Sequence, residues 1–222
     1  MELEHKTRYL QIAFNYDLRM ALQVLRVIPA SPRILIEAGT PFIKREGLRG
    51  VSALRSVWKG HLVADLKTSD GAYDEVGMAR NVGVTAVTAL GSSPVETLDR
   101  FVAACHDLDV ISMIDMLGVA DPLDTLMHLK APPQVVVLHR GRDEESSRDK
   151  VIQYRHVNRV RSKYDVIISA AGGVDLREAR SAIFNGANIV VVNLVHPSDP
   201  WAGIRTDKDI RAITQEFLAT IE

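Results

Sequence analysis

Cysteine is almost missing from this chain. One thiol, Cys105, leaves no partner for an intramolecular disulfide and too few ligands for a cysteine-rich zinc site. It falls in an apolar helical pattern, where a free cysteine behaves as a small buried hydrophobe rather than a nucleophile. Net charge is missing too. With 27 Lys and Arg against 28 Asp and Glu, the formal charge is −1, which argues against a general nucleic-acid or membrane surface. No apolar run approaches the roughly 20 residues that span a bilayer. The start, MELEHKTRYL, is too polar for a signal peptide. No linker or low-complexity segment divides the 222 residues, so we expect a single domain over 1–222. These absences together describe a cytoplasmic enzyme without nucleic-acid or membrane partners.

What is present is an ordinary globular composition, 46% hydrophobic and 25% charged, with ample material for a core. Short Val/Ile-rich runs alternate with amphipathic stretches along the whole chain. The strands are expected at 9–14, 34–36, 61–64, 85–90, 110–114, 135–138, 166–170 and 189–192. Helices are expected at 17–27, with Asp17 as N-cap, and at 48–57, 72–81 and 94–106. Further helices are expected at 123–129, 147–163, 176–185 and 207–221. Continuous apolar strands mark a parallel sheet buried on both faces. Eight strand–helix units in this length give an α/β protein, a single (β/α)₈ TIM barrel, with a doubly wound open sheet as the alternative.

In a barrel the chemistry collects at the C-terminal ends of the strands. Several strands here end in such residues: Asn15, Glu37, Asp65 with Lys67, Asp115, and His139 with Arg140 and Arg142. The densest stretch is Asp65-Leu66-Lys67-Thr68-Ser69-Asp70, which directly follows the apolar run Leu62-Val63-Ala64. Strand alternation points Asp65 and Lys67 the same way. Charges on an inward face must pair, hold a metal or meet a charged ligand. On spacing alone, a structural ion pair and an active site are both open. Glu37, Asp65 and Asp115 are hard oxygen ligands that suit magnesium. Lys67 can stabilise an oxyanion, and His139 is a general acid/base near neutrality. Gly172-Gly173 lets backbone amides approach a phosphate, as the loops after strands seven and eight often do in barrels.

The motif Asp65-x-Lys67-x-x-Asp70 resembles that of the orotidine 5′-monophosphate decarboxylase superfamily. Ile36-Glu37-Ala38-Gly39-Thr40-Pro41, Ile114-Asp115-Met116-Leu117-Gly118-Val119 and Leu138-His139-Arg140-Gly141-Arg142-Asp143 narrow the resemblance to the 3-hexulose-6-phosphate synthases. The resemblance implies a (β/α)₈ homodimer with active sites shared across the interface and a small sugar phosphate as substrate. It implies that Glu37 and Asp65 hold Mg²⁺, Lys67 steadies an enediolate, Asp70 reaches the partner's site, and His139 moves protons near Arg142. Asn15, Asp115, Arg142, Gly172, Gly173 and Asn193 are the expected substrate contacts. The implied reaction joins formaldehyde to ribulose 5-phosphate, or runs in reverse. The alternatives are decarboxylation of 3-keto-L-gulonate 6-phosphate or orotidine 5′-monophosphate, and a non-catalytic metabolite-binding descendant. Two positions depart from the family pattern. Asn15 stands where an aspartate is usual, and Val192-Asn193-Leu194-Val195-His196 lacks the usual Gly-Arg after strand eight. Arg205, further along that loop, is a surface candidate. How the phosphate is held is left open.

Overall fold

The computed structural model describes residues 2–147 and 149–222. Its strands are β1 (Tyr9–Phe14), β2 (Ile34–Ala38), β3 (His61–Thr68), β4 (Ala86–Leu90), β5 (Ile111–Asp115), β6 (Val135–His139), β7 (Ile167–Ala171) and β8 (Ile189–Val195). They pair in parallel in chain order, and β1 also pairs with β8 through Tyr9–Ile189 to Ala13–Asn193. The sheet is therefore a closed barrel, and the open-sheet alternative falls. A two-residue strand, β9 (Ile204–Arg205), adds to β8 in the loop beyond it. Closure leaves no free edge among the eight barrel strands.

Alternation divides the strand side chains into two sets. Tyr9, Leu35, Val63, Ile111, Met113, Val135, Ile167, Ile189 and Val191 fill the barrel interior as one apolar cluster. The other set, among them Leu10, Ile36, Leu62, Val87, Val136 and Val192, faces outward into a larger core shared with the helices. That ring comprises α1 (Leu18–Leu25), α2 (Thr40–Val57), α3 (Ala72–Asn81), α4 (Val95–Asp107), α5 (Pro122–Met127), α6 (Arg155–Arg161), α7 (Leu176–Phe184) and α8 (Ile210–Thr220). Asp17, Asp121, Asp175 and Asp209 each accept a backbone N–H at a helix start, the short-side-chain cap that satisfies an otherwise orphan donor. Cys105 is buried in α4, and burial pushes its thiol pKa up, as fits a structural residue.

One helix expectation is extended and one needs correction. The helix expected at 48–57 is present, and a further helical segment from Thr40 precedes it, with Pro41 in the first turn, where its missing N–H costs nothing. Gly47, at φ 61°, is the break between the two segments. The helix expected over 147–163 exists only as α6, and residue 148 of that span lies outside the described residues. Arg142–Ser146 forms one 3₁₀ turn, and only from Ile152 onward do buried side chains recur, at His156, Val157 and Val160. Charge without an apolar stripe gave this stretch nothing to dock.

Strands β3 and β8 run further than the apolar pattern predicts, to Thr68 and Val195. Both extensions carry polar side chains into the barrel mouth. Leu62→Ala empties a fully buried position of the outer core and should cost about 2–5 kcal/mol in urea unfolding. Phe184→Ala removes a ring that is 89% exposed and should stay within about 0.5 kcal/mol of wild type.

Candidate active site

The inward positions of the strands change character toward the mouth. Above Leu35 comes Glu37, above Val63 come Asp65 and Lys67, and above Ala86 comes Thr88. Above Met113 comes Asp115, above Val137 comes His139, and above Val191 comes Asn193. These side chains line one cavity of about 420 Å³, together with Gln11, Asn15, Thr40, Arg142 and Gly172. The apolar plug below keeps water from entering the barrel behind them.

A line of charge runs across this cavity. Asp65 accepts the Thr88 hydroxyl at 2.7 Å and the Lys67 ammonium at 3.2 Å on Oδ1, and the Thr40 hydroxyl at 2.7 Å on Oδ2. Lys67 Nζ also donates to Asp115 Oδ2, and Asp115 accepts His139 Nδ1 at 2.9 Å and the Leu117 N–H at 3.0 Å. With Nδ1 committed to Asp115, Nε2 is the His139 nitrogen left to exchange a proton in the cavity.

Lys67 reaches its place through strained backbone. Its φ is 48°, in the left-handed region, at a point where the β3–β4 register shifts. The Lys67 N–H donates to Thr88 Oγ1 at 2.9 Å, so one hydroxyl fixes both the lysine backbone and the Asp65 carboxylate. Strain of this kind persists only where neighbours over-determine it.

Burial acts on every charge here, and the partners decide the outcome. For Lys67, desolvation works against the ammonium, but Asp65 and Asp115 overcome it and raise its pKa. For Asp115, burial works against the charged form, yet the His139 and Lys67 charges hold its carboxyl down at about 2. His139 is raised: Asp115 outweighs the desolvation that favours the neutral ring. Glu37 is the exception. Burial, and then the charge of Asp65, push its carboxyl up to about 7, against a hydrogen bond from Gln11.

That excess of negative charge bears on the magnesium expectation. Glu37 and Asp65 are hard oxygen donors whose mutual repulsion a cation would relieve, so the donor set fits a divalent ion. No three His, Cys, Asp or Glu among the described residues group into a metal cluster. An ion held by Glu37 and Asp65 would therefore complete its shell with water or substrate oxygens, as magnesium commonly does.

The expected residues sort clearly. Glu37, Asp65, Lys67, Asp115, His139, Asn15, Asn193, Arg142 and Gly172 share the cavity. Asn15 donates to Asn193 Oδ1 at 3.0 Å, so the departing residue of β1 is paired with the departing residue of β8. Gly173 lies behind Gly172, outside the lining, and Asp70 is exposed beyond its own barrel's cavity, where it caps Gly71 N–H at 2.8 Å. Arg205 points elsewhere, donating to Pro197 O and Asp207. Thr40, Thr88 and Gln11 were missed in the sequence. Counting inward positions in steps of two would have found Thr88 and Gln11, but nothing local marks Thr40 as a partner of Asp65.

The residues 8–193 match the model of the orotidine 5′-phosphate decarboxylase / HUMPS family. A relative from Methanosarcina barkeri, named bifunctional enzyme Fae/Hps, is 32% identical over 96% of this chain and 52% of its own length. The chain thus spans about half the length of the curated relatives it matches. A 3-hexulose-6-phosphate synthase structure superposes with a TM-score of 0.81 at 26% identity, covering 96% of this chain and 100% of that one. The synthase structure from Salmonella typhimurium also gives 0.81, at 24% identity, covering 96% and 99%.

Glu37 supplies a direct test of the electrostatics. A carboxyl with a raised folded pKa contributes most stability below its unfolded value of 4.5 and loses it as pH rises through about 7. In chelator, the stability of Glu37→Gln relative to wild type should therefore grow from pH 5 to pH 8, by up to about 3 kcal/mol. Parallel urea-midpoint profiles for the two proteins would show that Glu37 feels no such repulsion.

Proposed function

This chain belongs to the orotidine 5′-phosphate decarboxylase / HUMPS family, and from that premise we propose that it is a magnesium-dependent carbon–carbon lyase of the 3-hexulose-6-phosphate synthase type. The observation that carries this reading is the Asp65–Lys67–Asp115–His139 chain ending in one cavity beside Glu37. The named relatives support the same reading.

In the synthetic direction a proton leaves C1 of ribulose 5-phosphate, and the electron pair left behind forms the C1–C2 double bond of an enediolate, with its negative charge on the C2 oxygen. C1 then attacks the carbonyl carbon of formaldehyde, forming one carbon–carbon bond, and the aldehyde oxygen takes up a proton. No oxidant is needed and no atom is lost. Lys67 faces the developing negative charge with an ammonium that Asp65 and Asp115 keep protonated. His139, steered by Asp115, exchanges protons through Nε2. Magnesium held by Glu37 and Asp65 would add Lewis-acid stabilisation of the same negative charge.

Wild type mixed with ribulose 5-phosphate, formaldehyde and magnesium should consume formaldehyde. Lys67→Ala should lose about 100-fold or more in rate. If wild type neither consumes formaldehyde nor releases it from the hexulose phosphate, the synthase reading is wrong. Carbon dioxide release from 3-keto-L-gulonate 6-phosphate or orotidine 5′-monophosphate would put the decarboxylase reading in its place.

The same reading takes the working unit as a homodimer in which Asp70 serves the partner's cavity. Two features support it: Asp70 is exposed outside its own cavity, and the adjoining helix α3 carries exposed Tyr73 and Met78. Lys67→Ala and Asp70→Ala chains, each inactive alone, should then complement on subunit mixing. Random pairing leaves one intact site in each mixed dimer, or about a quarter of the wild-type rate. Failure to complement in a mixture proven to exchange subunits would assign each site to one chain.

A further inference from the structure

The charged chain occupies one side of the cavity. The other side is built on the turn after β7. Gly172 and Gly173 both lie at positive φ, 107° and 64°. A Cβ on Gly172 would stand 2.0 Å from the Arg140 carbonyl oxygen, so this turn is closed to any larger residue. Arg140 sits beneath it, donating to Gly172 O at 3.2 Å and to Lys150 O at 3.1 Å.

A side chain already covers the turn. The Glu145 carboxylate lies against Gly173: its Cδ and Oε2 each stand 3.1 Å from where a Gly173 Cβ would be, and Arg140 Nη2 stands 2.0 Å from the same point. Arg140 and Arg142 act on the same carboxylate. Arg142 is in turn stacked over the Trp201 ring at 5.8 Å from its centroid. One carboxylate thus sits over Gly173, beside the Arg140 guanidinium and within the field of Arg142. A guanidinium beside a glycine turn is a setting that binds a phosphate oxygen, and the chain places an anion of its own there.

The charge of the cavity makes that occupancy consequential. Glu37, Asp65, Asp115, Asp143, Glu144 and Glu145 all line it, against Lys67, Arg142 and the imidazole of His139. A phosphate tail brings nearly two further negative charges. It cannot share the seat with a carboxylate. Burial already pushes the Glu145 carboxyl up, against the pull of Arg140 and Arg142, so this ionised group is the weakly held one. It also stands on a single 3₁₀ turn that includes exposed Asp143 and Ser146, where a rotamer change alone would carry it away.

We propose that Glu145 is a built-in occupant of the anion seat at Gly172–Gly173, and that a sugar phosphate binds by displacing it. Glu145 is thus a specificity-determining residue: it screens the seat so that a dianionic tail enters and weaker anions do not. The identity of the sugar phosphate rests on the synthase reading, but the exchange at the seat does not need turnover.

Binding calorimetry on the intact protein with magnesium tests this. The ligands are inorganic phosphate, ribulose 5-phosphate and unphosphorylated ribulose, against wild type, Glu145→Gln and Glu145→Ala. Removing the charge should tighten inorganic phosphate and ribulose 5-phosphate about tenfold. Ribulose should bind alike in all three proteins, and inorganic phosphate should compete with ribulose 5-phosphate. Glu145→Gln keeps the side-chain volume, so it remains decisive if the alanine variant fails to fold. Phosphate binding that is unchanged or weaker in the folded variants overturns the proposal. Tightened phosphate binding without any formaldehyde turnover would sustain the seat and sink the synthase reading alone.

Discussion

The mouth of this barrel depends on one buried ammonium. Lys67 stands between Asp65 and Asp115, both nearly inaccessible, and the three share a line of charge that ends in His139. Taking these groups out of water costs several kcal/mol per ion. The cost is met because no charge in the line lacks a partner: Thr40 and Thr88 complete Asp65, and Leu117 N–H completes Asp115. Glu37 is left with one amide donor and a neighbouring like charge, which is why its proton is held so high. The arrangement is stable around Lys67 and short of positive charge beside Glu37. Such unequal treatment of neighbouring carboxylates is common where functional sites are built.

The barrel makes that line possible by sorting side chains in layers. The interior is apolar from Tyr9 to Val191, and polar only where the strands run past their hydrophobic segments. The extra lengths of β3 and β8 matter because they lift Lys67 and Asn193 into the top layer. Lys67 pays for its position with left-handed backbone, held by the Thr88 hydroxyl.

The rim has a different character. The loop after β8 is pinned to the loop after β1 through Tyr16, which donates to Asp199 and accepts the His196 N–H at 2.9 Å. It carries Trp201 under Arg142, a contact between the loops of β8 and β6. At the strand ends below, Asn15 and Asn193 form a neutral pair. Thus the region expected to carry an arginine from the β8 loop instead has an aromatic ring supporting an arginine from the β6 loop. The Asp65–Lys67 side keeps the expected family motif, and the opposite rim is built from other parts.

Much of this was legible in the residue order. Strand periodicity is local, so eight Val/Ile-rich runs and the polar residues at their ends could be read directly, and Glu37, Asp65, Asp115 and His139 fell out of that reading. The helix expected over 147–163 failed because its charge pattern resembled an amphipathic face while offering few apolar residues to bury. Closure of the sheet was not local either: the β1–β8 pairing joins residues about 180 positions apart, and no pattern along the chain encodes it. The same holds for Thr40 beneath Asp65, for Asn15 facing Asn193, and for Glu145 lying against Gly173. The sequence by itself determined which side chains each strand delivers to the mouth, because alternation is a property of single strands. Only the tertiary structure decided which of them meet, because hydrogen bonds and charge pairs depend on distances across the barrel.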